Sequence, residues 1–279
     1  MTGFRKISAI HFSRQTMKNT QRLVEIMAHL RHPETGCAWD VKQDFASLTP
    51  YMIEEAYEVI DAIERNNFDD LKEELGDLLL QVVFHARIAE EKALFDFEAV
   101  AAGICDKLTQ RHPHVFGDVV YDTDEQRKTA WEEAKSKERA RKSSTEAPLS
   151  VLHGVAGSLP ALLFADKIQD RAASHGFDWP EISPVFDKVE EELQEVKEAI
   201  EEGDQAHIEE EVGDLIFVAV NLARHLKVNP ELALKASNRK FTRRFHYIEE
   251  KVSRQQRTLR DCQLAELDAL WDEAKANEK

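Results

Sequence analysis

Apolar residues recur at three- and four-residue intervals along most of this chain. Leu23, Ile26, Met27 and Leu30 predict an amphipathic helix over 16–31, closed by His32-Pro33. A polar loop with Gly36, Cys37, Trp39 and Asp40 follows. Thr49-Pro50 reads as an N-cap with proline at the first helical position. It opens a helix to about 65 whose Ile53, Ala56, Val59, Ile60 and Ile63 face a core. Asn66-Asn67 breaks the pattern before a helix over about 68–91 that contains the apolar run Leu78 to Phe84. The short connection makes these two helices antiparallel neighbours. Asp96 caps a further helix to about 111, ended by His112-Pro113, and a loop at 117–124 leads into a charged helix over 125–142. The small, polar stretch Ser143 to Pro148 marks a domain boundary.

The pattern then starts again. A helix over about 159–174 precedes Gly176-Phe177-Asp178-Trp179, and Ser183-Pro184 repeats the cap-then-proline device. The Glu-rich stretch 189–202, the turn Gly203-Asp204 and a helix over about 205–227 retrace the first helix pair at an offset of 137 residues. Between Glu74–Arg87 and Glu211–Arg224, 7 of 14 positions are identical, which settles the register. Asn229-Pro230 begins a helix over 231–254, and a last helix over about 263–276 carries Trp271-Asp272-Glu273-Ala274-Lys275, an echo of Trp131-Glu132-Glu133-Ala134-Lys135. No stretch alternates with period two. The expectation is an all-α fold of two tandem, duplicated helical-bundle domains, 18–142 and 159–279, joined by a linker at 143–158 and preceded by an extension at 1–17.

Within the repeat, one set of polar positions stands out. Glu54, Glu55 and Glu58 lie on one helix, and Glu74 and Asp77 lie on the next. Glu191, Glu192, Glu195, Glu211 and Asp214 reproduce all five. Carboxylates that share helical faces repel one another unless a cation lies between them. An oxygen-only set with no neighbouring His or Cys favours Mg²⁺, with Mn²⁺ as a substitute, over zinc. A di-iron carboxylate bundle needs Glu-x-x-His, and none of the 11 histidines has Glu three residues before it. Mg²⁺ shares its coordination with phosphates, so the chemistry expected is metal-assisted attack of water on a phosphoryl group. Asn238, Lys240, Arg243 and Arg244, on one helix of the second half, are the candidate phosphate ligands. The first half offers only Asp106, Lys107, Arg111 and His112 in the corresponding region.

Composition narrows the classes further. With 53 acidic and 37 basic residues the formal charge is −16, which argues against a nucleic-acid partner. The basic residues from Lys135 to Lys142 read as a solvated helix end running into the linker rather than an RNA site. Three cysteines, Cys37, Cys105 and Cys262, without a CxxC pair, fit a reduced cytoplasmic setting. The first residues lack the apolar stretch of a signal peptide, and no apolar run reaches membrane-spanning length.

The motif Glu-Glu-x-x-Glu followed by Glu-x-Gly-Asp resembles that of the MazG family of all-α nucleoside triphosphate pyrophosphohydrolases. Cys37-x-Trp39-Asp40, the stretch from Arg111-His112-Pro113 to Gly117, Asn238-x-Lys240-Phe241 and the near-terminal Trp271 share that resemblance, as does the tandem arrangement. Ala38 stands where the family pattern has proline. The resemblance implies hydrolysis of NTPs and dNTPs between the α and β phosphates, giving monophosphate and pyrophosphate, in the upkeep or regulation of nucleotide pools. It implies metal ligands at Glu191, Glu192, Glu195, Glu211 and Asp214 and a general base among the glutamates, with Glu192 and Glu195 as the catalytic pair. Triphosphate would meet Lys188 and the Lys240–Arg244 region, and the base or ribose would pack on Trp271 near Lys275. Asn221, where the first copy has Phe84, adds a polar group to the second site. The second copy is therefore the expected catalytic one, with the first a degenerate site retained for dimerisation. A homodimer is implied, and no membrane partner. The competing reading is a non-catalytic acidic helical interaction or regulatory protein.

Overall fold

The computed structural model describes residues 18–142 and 150–278. The extension at 1–17 and the boundary stretch at 143–149 lie outside them. The chain divides into two compact units, Met1–Glu138 and Arg139–Lys279. The described residues form helices and turns, without a strand.

In the first unit the helices are α1 (Lys18–Leu30), α2 (Ala38–Lys42), α3 (Thr49–Glu64), α4 (Phe68–Glu91), α5 (Phe97–Arg111), α6 (Pro113–Phe116) and α7 (Asp124–Lys142). Most boundaries follow from capping chemistry. Asn67 accepts from the Asp70 amide and Asp96 from the Ala99 amide, so α4 and α5 begin where a short side-chain acceptor can satisfy an orphan N–H. Asn66 takes φ 54°, the left-handed conformation Asn tolerates, and turns the chain between α3 and α4. The loop expected around Trp39 is partly helical, since Ala38–Lys42 closes a short helix there.

The second unit repeats this plan with α8 (Ala161–Ala173), α9 (Ser183–Glu202), α10 (Gln205–His225), α11 (Pro230–Arg254) and α12 (Leu264–Asn277), plus a 3₁₀ turn at Leu259–Asp261. Gly203, at φ 72°, ends α9, and Asp204 accepts from the Ala206 amide to start α10. Asn229 caps α11 through the Leu232 amide, with Pro230 in the first turn.

The two cap-then-proline sites differ from expectation by one residue. Leu48 and Ile182 are the N-caps, while Thr49 and Ser183 are already helical. The reason is visible at Thr49, whose hydroxyl donates to the Phe45 carbonyl one turn back. It continues the preceding turn instead of capping the next helix.

Each hairpin buries only part of its apolar residues: Ile53 and Ile63, expected to face a core, are exposed, and the first core forms between α1, the Leu48 turn and α4. Met27, Leu48, Val83, Phe84 and Ile88 form the first core, with Leu23, Val24, Leu30, Phe45, Leu80 and Phe97 packed against it. Burying an aliphatic or aromatic side chain of this size contributes about 1.5–3 kcal/mol. In the second unit, α9 packs along α10, α8 crosses α10, and α12 lies on α11. Ala62 and Ala199 are fully buried at equivalent positions, so each hairpin closes over a small side chain. Among the described residues no helix is long and apolar enough to cross a membrane.

Candidate active site

The α9–α10 hairpin gathers three of the five carboxylates expected. One oxygen each from Glu192, Glu195 and Glu211 lies within 4.8 Å of the others. Glu192 is 6 % exposed, which for a glutamate demands a partner. That partner is Lys188, one turn earlier on α9. Its Nζ lies 2.8 Å from Glu192 and 3.0 Å from Glu191. Hydrogen bonds to Glu192 and then Glu191 raise the ammonium's pKa well above its usual value. Glu195 is raised by burial, opposed by Lys188 and reinforced by Glu192 and Glu211. Glu191 is exposed and pairs with Lys188 outside the trio. Asp214 is exposed beside it, on the wall of the adjoining pocket.

The α3–α4 hairpin builds the same trio from Glu55, Glu58 and Glu74, again within 4.8 Å. Its electrostatics differ. Tyr51 occupies the position of Lys188 and packs edge-on against Trp39, with ring centroids 5.9 Å apart. Glu55 is raised by burial first, then by Asp77, Glu58, Glu74 and Glu54. Glu74 is raised by burial, Glu58 and Asp77. Carboxylates that raise one another's pKa on one hairpin, all oxygen donors, fit a divalent cation.

One expectation needs correcting. A histidine does stand beside the second set: His207 Nε2 is 3.1 Å from Glu211, and Nδ1 is 2.9 Å from Glu202. The Glu202 hydrogen bond raises its pKa, and both of its ring nitrogens face carboxylate oxygens. His207 thus stands at the edge of the set, while the trio itself is made of carboxylates only.

Beside the second trio opens a cavity of about 510 Å³. Phe177, Trp179, Phe217 and Ile168 give it apolar walls, while Lys188, Glu192 and Asp214 line it toward the carboxylates. Its polar side is held by Arg224, which donates to both Asp178 oxygens and, from Nε and Nη2, to Asn221 Oδ1 at 3.1 and 2.8 Å. His225 Nε2 is 3.0 Å from Asp178. Burial pushes the Asp178 carboxyl up, but Arg224 and His225 outweigh it and hold the group below its usual range. A depressed carboxylate stabilises the fold above its unfolded pKa, and that contribution is lost as pH falls through the folded value. Arg224→Met is thus expected to cost about 1–2 kcal/mol at neutral pH, reduced from a fully buried charged pair by partial exposure. In urea titrations the deficit should shrink toward zero below the carboxylate range.

Of the expected substrate residues, Lys188 and Asn221 line this cavity, and Asn221 is buried. The α11 set forms a cluster of its own. Arg243 and Arg244 both bind Glu278, Arg244 lies 5.4 Å over the Trp271 ring, and Trp271 packs on Phe241 at 5.3 Å. Lys275 pairs with Asp272, while Asn238 and Lys240 are exposed. Arg243 and Arg244 thus meet α12, which lies against α11, and none of the α11 set lines the cavity. Sequence spacing passed over Phe177, Phe217, Gln169 and Arg224. Arg224 left a trace as an identical position of the repeated helix, and Phe177 as part of the Gly176–Trp179 stretch.

Two helical units, each with a carboxylate trio on a hairpin, the second with a cavity beside it, define a tandem all-α bundle of the nucleotide-pyrophosphohydrolase type. The family model for the MazG nucleotide pyrophosphohydrolase domain matches twice, at residues 43–116 and 184–248. The chain belongs to the MazG family. It is 47 % identical over 264 residues to the nucleoside triphosphate pyrophosphohydrolase of Escherichia coli (strain K12), covering 94 % of this chain and 99 % of that protein. It is 45 % identical over 259 residues to the nucleoside triphosphate pyrophosphohydrolase/pyrophosphatase MazG of Thermotoga maritima, covering 93 % and 96 %.

Proposed function

We propose that this chain hydrolyses nucleoside triphosphates, ribo- and deoxyribo-, between the α and β phosphates, releasing monophosphate and pyrophosphate from the α9–α10 site. The observation that carries the reading is the adjacency of trio and cavity, joined at Glu192, which belongs to both. Glu192, Glu195 and Glu211 would hold Mg²⁺, with Glu191 and Asp214 at its margin. A divalent cation there would neutralise phosphate charge and acidify water. Lys188 offsets the charge of the carboxylates and reaches the phosphates from the same wall. The cavity takes the nucleoside, and Asn221 and Arg224 keep its polar side in place. Glu192, fixed by Lys188 at the mouth of the cavity, is placed to accept the proton of the attacking water, with Glu195 beside it. The non-catalytic reading leaves the cavity and its junction with the trio without a role.

The test is pyrophosphate release from a panel of NTPs and dNTPs with Mg²⁺, Mn²⁺ and no divalent ion. Release that requires the divalent ion is the expected result, and no release from any nucleotide would sink the reading.

The family's pairing through helices extends the proposal to a homodimer. Ile200, Val212 and Ile216 are exposed on α9–α10, and their counterparts 137 residues earlier, Ile63, Leu75 and Leu79, are exposed on α3–α4. The same three positions left apolar and exposed on both hairpins mark an association surface, and a second copy of the chain supplies matching surface. Light scattering should give twice the mass of 32.0 kDa, and Ile216→Asp should reduce it toward one chain. A wild-type mass of one chain would refute the dimer.

A further inference from the structure

Gln169 belongs to no motif and stands apart from the carboxylates, yet it lines the same cavity. It lies on α8 and is 8 % exposed. Its Nε2 donates to the Phe217 carbonyl of α10 at 2.8 Å. A carbonyl can only accept, so this bond fixes the orientation of the amide: nitrogen toward α10, Oε1 turned away from it. That oxygen is buried and has no hydrogen-bond partner among the described residues. A buried acceptor without a donor is unfavourable and rare, and it is tolerated where a ligand brings the donor. Asn221, also lining the cavity, is oriented in the same manner. Its Oδ1 accepts twice from Arg224, which leaves Nδ2 as its outward donor. A fixed acceptor and a fixed donor among Phe177, Trp179 and Phe217 suit a flat heterocycle whose edge carries an N–H beside an acceptor.

We propose that Gln169 is a specificity-determining residue, its Oε1 accepting an N–H from the edge of the substrate's nucleobase. The inference rests on the cavity being the nucleoside site. In the first unit the buried polar residues are Arg31 and Gln81, whose Oε1 is likewise without a partner among the described residues, and Phe84 stands at the position of Asn221. Arg31 spends its donors on Glu91 and on the Asp40 and Gln43 carbonyls, and lies over Phe84.

The test compares kcat/KM of the wild type and Gln169→Met, which keeps length and helix propensity but removes the acceptor, across the NTP and dNTP panel. The expected result is a loss of about 10²-fold or more for the best nucleotide. Losses for the poorest should be small, so that the preference among bases collapses, while the Mg²⁺-induced shift in melting temperature is retained. In parallel, the best nucleotide is replaced by analogues in which each base N–H is methylated or deleted. One of them should reproduce the loss in wild type and add nothing in Gln169→Met. Equal losses for every nucleotide, or no analogue that lowers wild-type kcat/KM tenfold, would overturn the role of Gln169 while leaving the hydrolase reading intact. The analogue arm can overturn the role with the wild type alone, and Gln169→Leu takes the place of Gln169→Met in the paired comparison if the latter does not fold. Absence of pyrophosphate from every nucleotide would instead remove the reading on which the inference stands.

Discussion

Glu192→Gln is expected to lower pyrophosphate release by about 10³-fold or more, whereas Glu55→Gln leaves it essentially unchanged. The two residues are 137 apart in the repeat and belong to trios of the same tightness, so the difference must come from what surrounds them. Glu192 has Lys188 at 2.8 Å and an adjoining cavity. Glu55 has Tyr51 in place of that lysine and Phe84 in place of Asn221. The amide keeps the shape of the carboxylate and removes a metal ligand and proton acceptor together, so kcat should fall with the fold intact. Glu55→Gln should have the opposite sign on stability. Glu55 is pushed up by burial and four neighbouring carboxylates, so neutralising it relieves repulsion at neutral pH. Melting temperature without divalent ions should rise slightly, and the rise should vanish as pH falls through the raised pKa. Loss of activity in Glu55→Gln but not Glu192→Gln would assign catalysis to the first unit.

The contrast between what spacing reveals and what it hides follows from range. The trios were legible because residues three and four apart on one helix, and a second helix after a tight turn, have fixed geometry; Glu55 with Glu58 and Glu192 with Glu195 are such pairs. The cap at Asp96 and the helix start at Asn229 were legible for the same local reason, while Asn67 and Asp204, read as a break and a turn, prove to be caps as well. Thr49 and Ser183 misled because a proline near a helix start does not say which neighbour caps it. Gln169 and Phe217 meet across 48 residues through one hydrogen bond, and no periodicity encodes that. The α11 cluster shows the converse: Lys240 to Arg244 share a face as their spacing required, but which element covers that face depends on the packing of α12. His207 was within reach, four residues before Glu211 on one helix, and its pairing needed only the i, i+4 rule.

Asn221→Phe, which gives the second unit the residue of the first, is expected to raise KM for nucleotides by 10²-fold or more while Mg²⁺ binding persists. At the equivalent position Phe84 is 3 % exposed, edge-on to Trp39 at 6.4 Å and beneath Arg31 at 5.4 Å. A ring there is compatible with the helix pair, and the substitution should fold. In the second unit its effect is twofold. The ring enters a cavity of about 510 Å³ that Phe177, Trp179 and Phe217 already narrow. It also deprives Arg224 of the Oδ1 that receives two of its hydrogen bonds, loosening the contact to Asp178 that braces the wall. Losing one well-placed polar contact and the room for a heterocycle together accounts for two orders of magnitude, since each tenfold needs about 1.4 kcal/mol. The trio of Glu192, Glu195 and Glu211 is untouched, so the Mg²⁺-dependent rise in melting temperature separates a blocked cavity from a damaged hairpin. Unchanged KM would mean that the nucleoside lies elsewhere, with the Trp271–Arg244 cluster the next surface to test. Asn221→Ala is the control: it removes the amide without filling the space and should fall between wild type and Asn221→Phe.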